Sequence, residues 1–220
     1  MSVLKDIFGR ALDWGALPSG HPNPCNGVKR HRRPPRGRVL NAAAIARLWT
    51  VLDQEPARNQ AAVDATRLLM LTGCRVGEIL SLRWDDVGRN SIYLRDAKAG
   101  PRTVELPAAA LEILNSRIAE RTDAWVFPGR CGKDQPMARM QFFWKKVSAK
   151  AELPADTRLH DLRHTFASVA LMGGETMRLT GELLGHRNAR STARYAHLRS
   201  DFLLAAAESV GQRIASMMSG

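Results

Sequence analysis

The sequence predicts a mostly helical (α+β) fold in which short helices surround one small antiparallel β-sheet. Three observations carry that expectation. Apolar residues recur at helical spacing over most of the chain after Asn41. Only one pair of short alternating runs, residues 91–95 and 103–106, flanks a compact turn at 97–101 built around Lys98 and Gly100. Glycines and capping residues cut the remainder into pieces of helix length.

Each element has its own signal. Residues 3–17 carry Val3, Leu4, Ile7, Phe8, Leu12 and Trp14 near helical spacing. From Pro18 to Arg38 prolines and glycines take over, and Lys29, Arg30, His31, Arg32, Arg33, Arg36 and Arg38 form a basic run with no acid. This segment reads as an exposed linker, either merely solvated or following phosphates beside a DNA site. Asn41 is positioned to cap a helix through Leu52, and a longer helix over 59–71 stops at Thr72-Gly73. A new helix starts near Arg75, and residues 85–87 offer a third strand. Helical patterns follow at 108–120, 137–150, 159–172, 176–184, 191–198 and 202–217, and no internal repeat is evident.

Composition narrows the function classes. The 220 residues, 45% of them hydrophobic, are enough for one principal domain. With 33 Lys+Arg against 21 Asp+Glu the formal charge is +12, so the surface attracts polyanions, nucleic acid first and an anionic membrane second. No run approaches the roughly 20 apolar residues a membrane span needs, and the N-terminus carries no signal-like apolar core, so a cytoplasmic protein is expected. Cys25, Cys74 and Cys131 lie far apart without a CxxC pair, which suggests neither a disulfide framework nor a zinc ribbon.

Three clusters could carry chemistry. In the segment 159–166, Leu159, Leu162, Phe166 and Val169 form one apolar helix face, while His160 and Arg163 neighbour each other away from its centre. A cation and an imidazole near a helix start suit a phosphate; a solvated surface pair is the plainer alternative. His160-Asp161-Leu162-Arg163-His164 also resembles a zinc-protease helix, but Asp is a shorter base than Glu and Arg163 would set a cation beside the metal. In the second cluster, Leu183-Leu184-Gly185-His186-Arg187, Gly185 reads as a helix stop that leaves His186 in a connection, and Tyr195 follows nine residues later. Taken alone, that tyrosine is an ordinary packing residue. In the third, Leu71-Thr72-Gly73-Cys74-Arg75-Val76-Gly77-Glu78, an arginine follows a glycine break and a glutamate one turn on can orient it, or the two form a weak surface pair.

Together these clusters resemble the signature boxes of the tyrosine recombinase, or phage integrase, family. Residues 68–84 resemble the first-arginine box, 159–168 the His-x-x-Arg box, and 183–198 the Leu-Gly-His box running into the tyrosine; Lys98 matches a hairpin lysine. The resemblance covers about residues 39–198. It implies a catalytic domain in which Arg75 and Arg163 form the arginine pair, Lys98 is the lysine, His160 and His186 fill the histidine positions, and Tyr195 is the nucleophile. It further implies site-specific recombination of double-stranded DNA through a 3′-phosphotyrosyl intermediate, serving integration or excision of a mobile element. Neither a cofactor nor a metal nor ATP is expected, because arginines do the charge neutralisation that Mg²⁺ does in two-metal nucleases.

The resemblance also implies an organisation: residues 1–38 as helix and linker at the junction with an N-terminal DNA-gripping domain that is missing here, 39–200 as the catalytic domain, and 201–220 as a C-terminal helix. That tail, with Phe202, Leu203, Leu204, Val210, Ile214 and Met217, either docks on a neighbouring subunit or folds back on its own domain. An intact enzyme of this kind is expected to act as a homotetramer on two duplexes, and this chain alone as a monomer. The alternatives are a type IB topoisomerase-like enzyme and a non-catalytic basic DNA-binding protein.

Overall fold

The computed structural model describes residues 2–28, 37–97, 100–119, 121, 124–129, 135–186, 192, 212, 214, 216 and 217. The chain divides into two compact units, Met1–Arg36 and Gly37–Gly220. The first holds α1 (Ser2–Asp13), followed by a turn-rich exposed segment in which the Asn23 side chain donates to the Lys5 carbonyl at 3.0 Å.

The second unit is mostly helical. Helix α2 (Ala42–Asp53) is capped by the Asn41 side chain, which accepts the Ala44 N–H at 2.9 Å, and it buries Ala44, Leu48 and Leu52 at four-residue intervals. Helix α3 (Gln60–Thr72) runs through the centre, packed against α5 (Ala108–Ile118) and α7 (Leu159–Met172). The short α4 (Val76–Leu80) follows it directly, α6 (Gln141–Lys150) packs on α2, and α8 (Met177–Leu184) packs on α7. Between α4 and α5 lies a two-stranded sheet, β1 (Ser91–Leu94) antiparallel to β2 (Arg102–Glu105), with Ile92 opposite Val104 and Leu94 opposite Arg102. Ile92, Leu94 and Val104 turn into a core that includes Leu48, Leu69, Ile79, Phe127 and Leu162. Inside it Arg117 pairs with Asp64 at 3.1 Å, donates to the Val126 carbonyl and lies 5.0 Å from the Phe127 ring, so a buried cation is fully engaged.

Three expectations need correction. Residues 85–87 form no third strand: Trp84–Asp86 is a 3₁₀ turn joined to β1 by the single bridge Val87–Ile92. Asp86 is buried there as the acceptor of Arg95 Nε at 2.5 Å, a use of the side chain that favours a turn over a strand. Helix α6 begins at Gln141, not at 137, because the Met137 N–H is spent on the Phe127 carbonyl at 2.8 Å. Val169, expected on the apolar face of α7, is 52% exposed. The helices expected at 191–198 and 202–217 lie outside the described residues except for Thr192, Gln212, Ile214, Ser216 and Met217. Among the described residues no helix is long and apolar enough to cross a membrane.

Candidate active site

The site is built where α3 gives way to α4. Gly73 ends α3 in the left-handed conformation, φ 63°, and a Cβ there would meet Phe166 Cδ1 at 2.6 Å and Leu184 Cδ2 at 2.9 Å. Glycine thus both turns the chain and lets α7 and α8 close on it. Two residues on, Arg75 is the N-cap of α4, and Glu78 reaches back to accept its backbone N–H at 2.8 Å and its Nη1 at 2.6 Å. This is no weak surface pair, since the Glu78 side chain is only 5% exposed. Burial pushes the Glu78 carboxyl up, but the two bonds from Arg75 and the charge of Arg102 more than offset it and hold it below its usual value.

Arg163 reaches the same junction from α7. Its Nη1 donates to the Gly73 carbonyl at 2.7 Å and its Nη2 to the Leu184 carbonyl at 2.6 Å, so one guanidinium ties the end of α3 to the end of α8. The residue is buried, not on a solvated face as its place on the helix suggests, because α7 is enclosed by α3 on one side and α8 on another. Burial, followed by the nearby charge of Arg75, lowers its pKa to about 10, so it stays a cation at neutral pH.

At the end of α8, Gly185 is again left-handed, φ 64°, as the helix-stop reading expects. His186 then sits half-buried in the connection, its N–H donating to the Gly181 carbonyl and its Nδ1 2.8 Å from Thr192 Oγ1. Gly181 makes room for that partner: a Cβ there would lie 2.9 Å from Thr192 Oγ1.

His160 stands exposed in the first turn of α7, one turn before Arg163. Its ring meets that of the buried His164 edge to face, with centroids 5.0 Å apart. His164 in turn is covered by Gly37, where a Cβ would come within 3.0 Å of the ring. The structure therefore brings Arg75, Arg163 and His186 to one junction, with His160 in the first turn of the helix that carries Arg163. Lys98 and Tyr195 lie outside the described residues.

Two residues, Arg102 and Tyr93, were passed over in the sequence, and a third, His164, entered there only through the likeness to a zinc-protease helix. Arg102, at the start of β2, places its Nη2 3.2 Å from Glu78 Oε2 and its Nη1 3.2 Å from the Leu183 carbonyl. His164 carried a faint signal in its four-residue spacing from His160. Tyr93 on β1 is 45% exposed and, with Arg75, Glu78 and Ala97, lines a cleft of about 530 Å³. Arg75 and Arg102 thus share one carboxylate, and Arg163 lies close enough to feel its charge. The surplus positive charge, on planar donors held by Glu78 and by backbone carbonyls, is suited to an oxyanion such as phosphate. Among the described residues no group of three His, Cys, Asp or Glu is placed to hold a metal ion.

Comparison with known proteins gives the chain relatives in sequence and in overall fold. The model of the phage integrase family matches residues 38–201. Tyrosine recombinase XerC of Xanthomonas axonopodis pv. citri (strain 306) is 27% identical over 205 residues, covering 90% of this chain and 66% of that protein. XerC of Bacillus pumilus (strain SAFR-032) is 31% identical over 175 residues, covering 72% of this chain and 56% of that protein. This chain therefore spans between about half and two thirds of the length of these relatives. Among solved structures, the catalytic domain of bacteriophage HP1 integrase superposes with a TM-score of 0.59 at 26% identity, covering 79% of this chain and 95% of that one. XerA recombinase gives a TM-score of 0.63 at 24% identity, covering 78% of this chain and 65% of that one.

Proposed function

The chain belongs to the phage integrase family, and on that premise we propose that it supplies the catalytic domain of a site-specific recombinase that cuts and rejoins double-stranded DNA through a covalent bond to Tyr195. The observation that carries the reading is the junction at Gly73, where Arg75 and Arg163 converge and Glu78 anchors the first while two backbone carbonyls anchor the second. Attack on a phosphodiester adds negative charge to the non-bridging oxygens, and donors already fixed in place stabilise it without reorganising.

The roles follow from that requirement. The Tyr195 hydroxyl attacks phosphorus and its proton passes to His160; a phenol with an ordinary pKa near 10 needs such a base at neutral pH. Arg75, Arg163 and His186 bind the non-bridging oxygens. The bond from phosphorus to the 5′ oxygen breaks, and Lys98 gives that oxygen a proton. The 3′-phosphotyrosyl product keeps the energy of the broken bond, so a 5′-hydroxyl from another strand reverses the attack and no ATP is consumed. The intact enzyme works as a homotetramer on two duplexes in the cytoplasm and serves integration or excision of a mobile element. Residues 1–38 join the catalytic domain, 39–200, to a DNA-gripping domain; the tail 201–220 docks on a neighbour, while the isolated chain is monomeric.

The test is a nicked duplex carrying a crossover site of the element, incubated in EDTA and resolved under denaturing conditions. Loss of the short 5′ fragment traps the covalent state. A protease-sensitive adduct that Tyr195→Phe abolishes is the expected result; strand binding with no adduct, even with the N-terminal domain of a relative fused on, contradicts it. The topoisomerase-like alternative shares these residues and is separated by product, relaxation of supercoils against exchange of strands between duplexes.

A further inference from the structure

Arg102 has no part in the mechanism above, yet its side chain is only 13% exposed and touches both halves of the site. Its Nη2 shares the carboxylate of Glu78 with Arg75, approaching Oε2 at 3.2 Å while Arg75 Nη1 takes Oε1 at 2.6 Å. The same Nη2 lies 3.9 Å from the sulfur of buried Cys74, between Gly73 and Arg75. Its Nη1 donates to the Leu183 carbonyl at 3.2 Å, next to the Leu184 carbonyl that holds Arg163. Its stem lies flat against Gly185: a Cβ on that residue would fall 2.4 Å from Arg102 Nε and 2.5 Å from Cδ. Gly185 is therefore required twice, for its left-handed φ and for the space the guanidinium occupies.

We propose that Arg102 is a positioning residue that locks the three phosphate donors into one unit: through Glu78 it fixes Arg75, and through the α8 terminus and Gly185 it fixes the turn carrying His186 beside the anchor of Arg163. The inference rests on the assignment of those three residues as phosphate donors. The hydrogen-bond geometry requires a guanidinium. A planar fork spans a carboxylate on one side and a carbonyl on the other, whereas a lysine ammonium on a flexible stem reaches one of them at a time. Arg102 opens the strand that closes the hairpin, so the lock also ties the sheet to the two helix ends.

The experiment measures single-turnover adduct formation on the nicked duplex, duplex affinity and thermal stability for Arg102→Ala, Arg102→Lys, Glu78→Gln and the double variant Arg102→Ala/Glu78→Gln. Displacement of donors by a fraction of an ångström costs reaction rate, roughly tenfold to a hundredfold, while affinity stays within about threefold because the remaining phosphate contacts persist. Arg102→Lys retains the charge and is expected to be as slow as Arg102→Ala. In the Glu78→Gln background the loss of Arg102 costs less than about threefold, since the two residues act through one path. An Arg102→Lys enzyme at the wild-type rate means charge alone matters and overturns the proposal, as does full additivity in the double variant. Should Arg102→Ala fail to fold, Arg102→Lys and Arg102→Gln decide the same question. A wild type without an adduct, or an Arg75→Ala variant with the full rate, strikes the underlying assignment and this inference with it; a normal Arg75 dependence with an indifferent Arg102 strikes the inference alone.

Discussion

Replacing Arg163 by lysine probes the site through stability and chemistry at once, and the two should move in opposite directions with pH. Arg163 is 4% exposed and its two terminal nitrogens satisfy the Gly73 and Leu184 carbonyls. An ammonium in that place holds one carbonyl and leaves the other without its partner, a cost of about 1–3 kcal/mol. For a unit spanning Gly37–Gly220 that lowers Tm by roughly 3–10 °C. The burial and the neighbouring charge of Arg75 that bring Arg163 down to about 10 lower a lysine in the same place below its ordinary value of about 10.4 as well. Because the folded pKa is then below the unfolded one, the folded state carries the full penalty of the buried charge at every pH below that lowered value. Stability therefore rises as pH increases from the lowered folded pKa towards the ordinary lysine value of about 10. Catalysis needs the charge and so falls over the same range, from a neutral-pH rate already reduced roughly 10²–10³-fold by the loss of a paired donor. Thermal melts and single-turnover adduct formation between pH 7 and 9 measure both trends. A lysine variant with wild-type melting, or with a rate that follows the wild type across that range, refutes the assignment of Arg163 as a buried, doubly anchored cation.

Gly73→Ala is expected to cost about 2–4 kcal/mol, from a left-handed backbone and from the clash with Phe166 and Leu184, seen as a Tm drop of roughly 5–15 °C; an unchanged melt contradicts the packing described. Away from the site, buried Glu55 accepts from Lys146 at 2.8 Å and from Lys150 at 2.9 Å. Lys146 chiefly, against burial and with help from Lys150, holds its pKa down to about 2. A depressed folded pKa gives stability that is present above the ordinary carboxylate range and lost as pH falls towards about 2. The wild type should therefore lose about 1–2 kcal/mol more than Glu55→Gln between pH 6 and pH 2.5 in denaturant titrations, a modest figure because both lysines are half exposed. Parallel titrations of the two proteins remove Glu55 from the acid response.

The parts of this architecture that announce themselves in sequence are those with local causes. Asn41 marks a helix start because its own side chain caps it, and Gly73 and Gly185 mark helix ends because only glycine takes their backbone angles cheaply. Arg75 and Glu78 are legible as a pair because three residues of helix bring them together. The burial of Arg163 was hidden because helical periodicity separates one apolar stripe from the rest, whereas α7 is covered by α3 and by α8 on different faces. Arg102 was hidden for a different reason. Its partners, Glu78 and Leu183, are 24 and 81 residues away along the chain, and nothing in a strand's alternation points to them. Asp86 misled the strand assignment because its carboxylate serves Arg95 across a turn.

The sequence contains only two tyrosines, Tyr93 and Tyr195, and that makes the central claim directly measurable. Tyr93 is no idle competitor, since it lines the cleft beside Arg75. The adduct formed on a nicked duplex in EDTA would be digested with nuclease and then with trypsin, and the peptides weighed by mass spectrometry. Cleavage after arginine sets Tyr195 in the peptide 195–199 and Tyr93 in the peptide 90–95. The account predicts a nucleotide attached through its 3′ phosphate to the peptide of Tyr195, with the peptide of Tyr93 unmodified. A nucleotide on the peptide of Tyr93, or on neither, would contradict it.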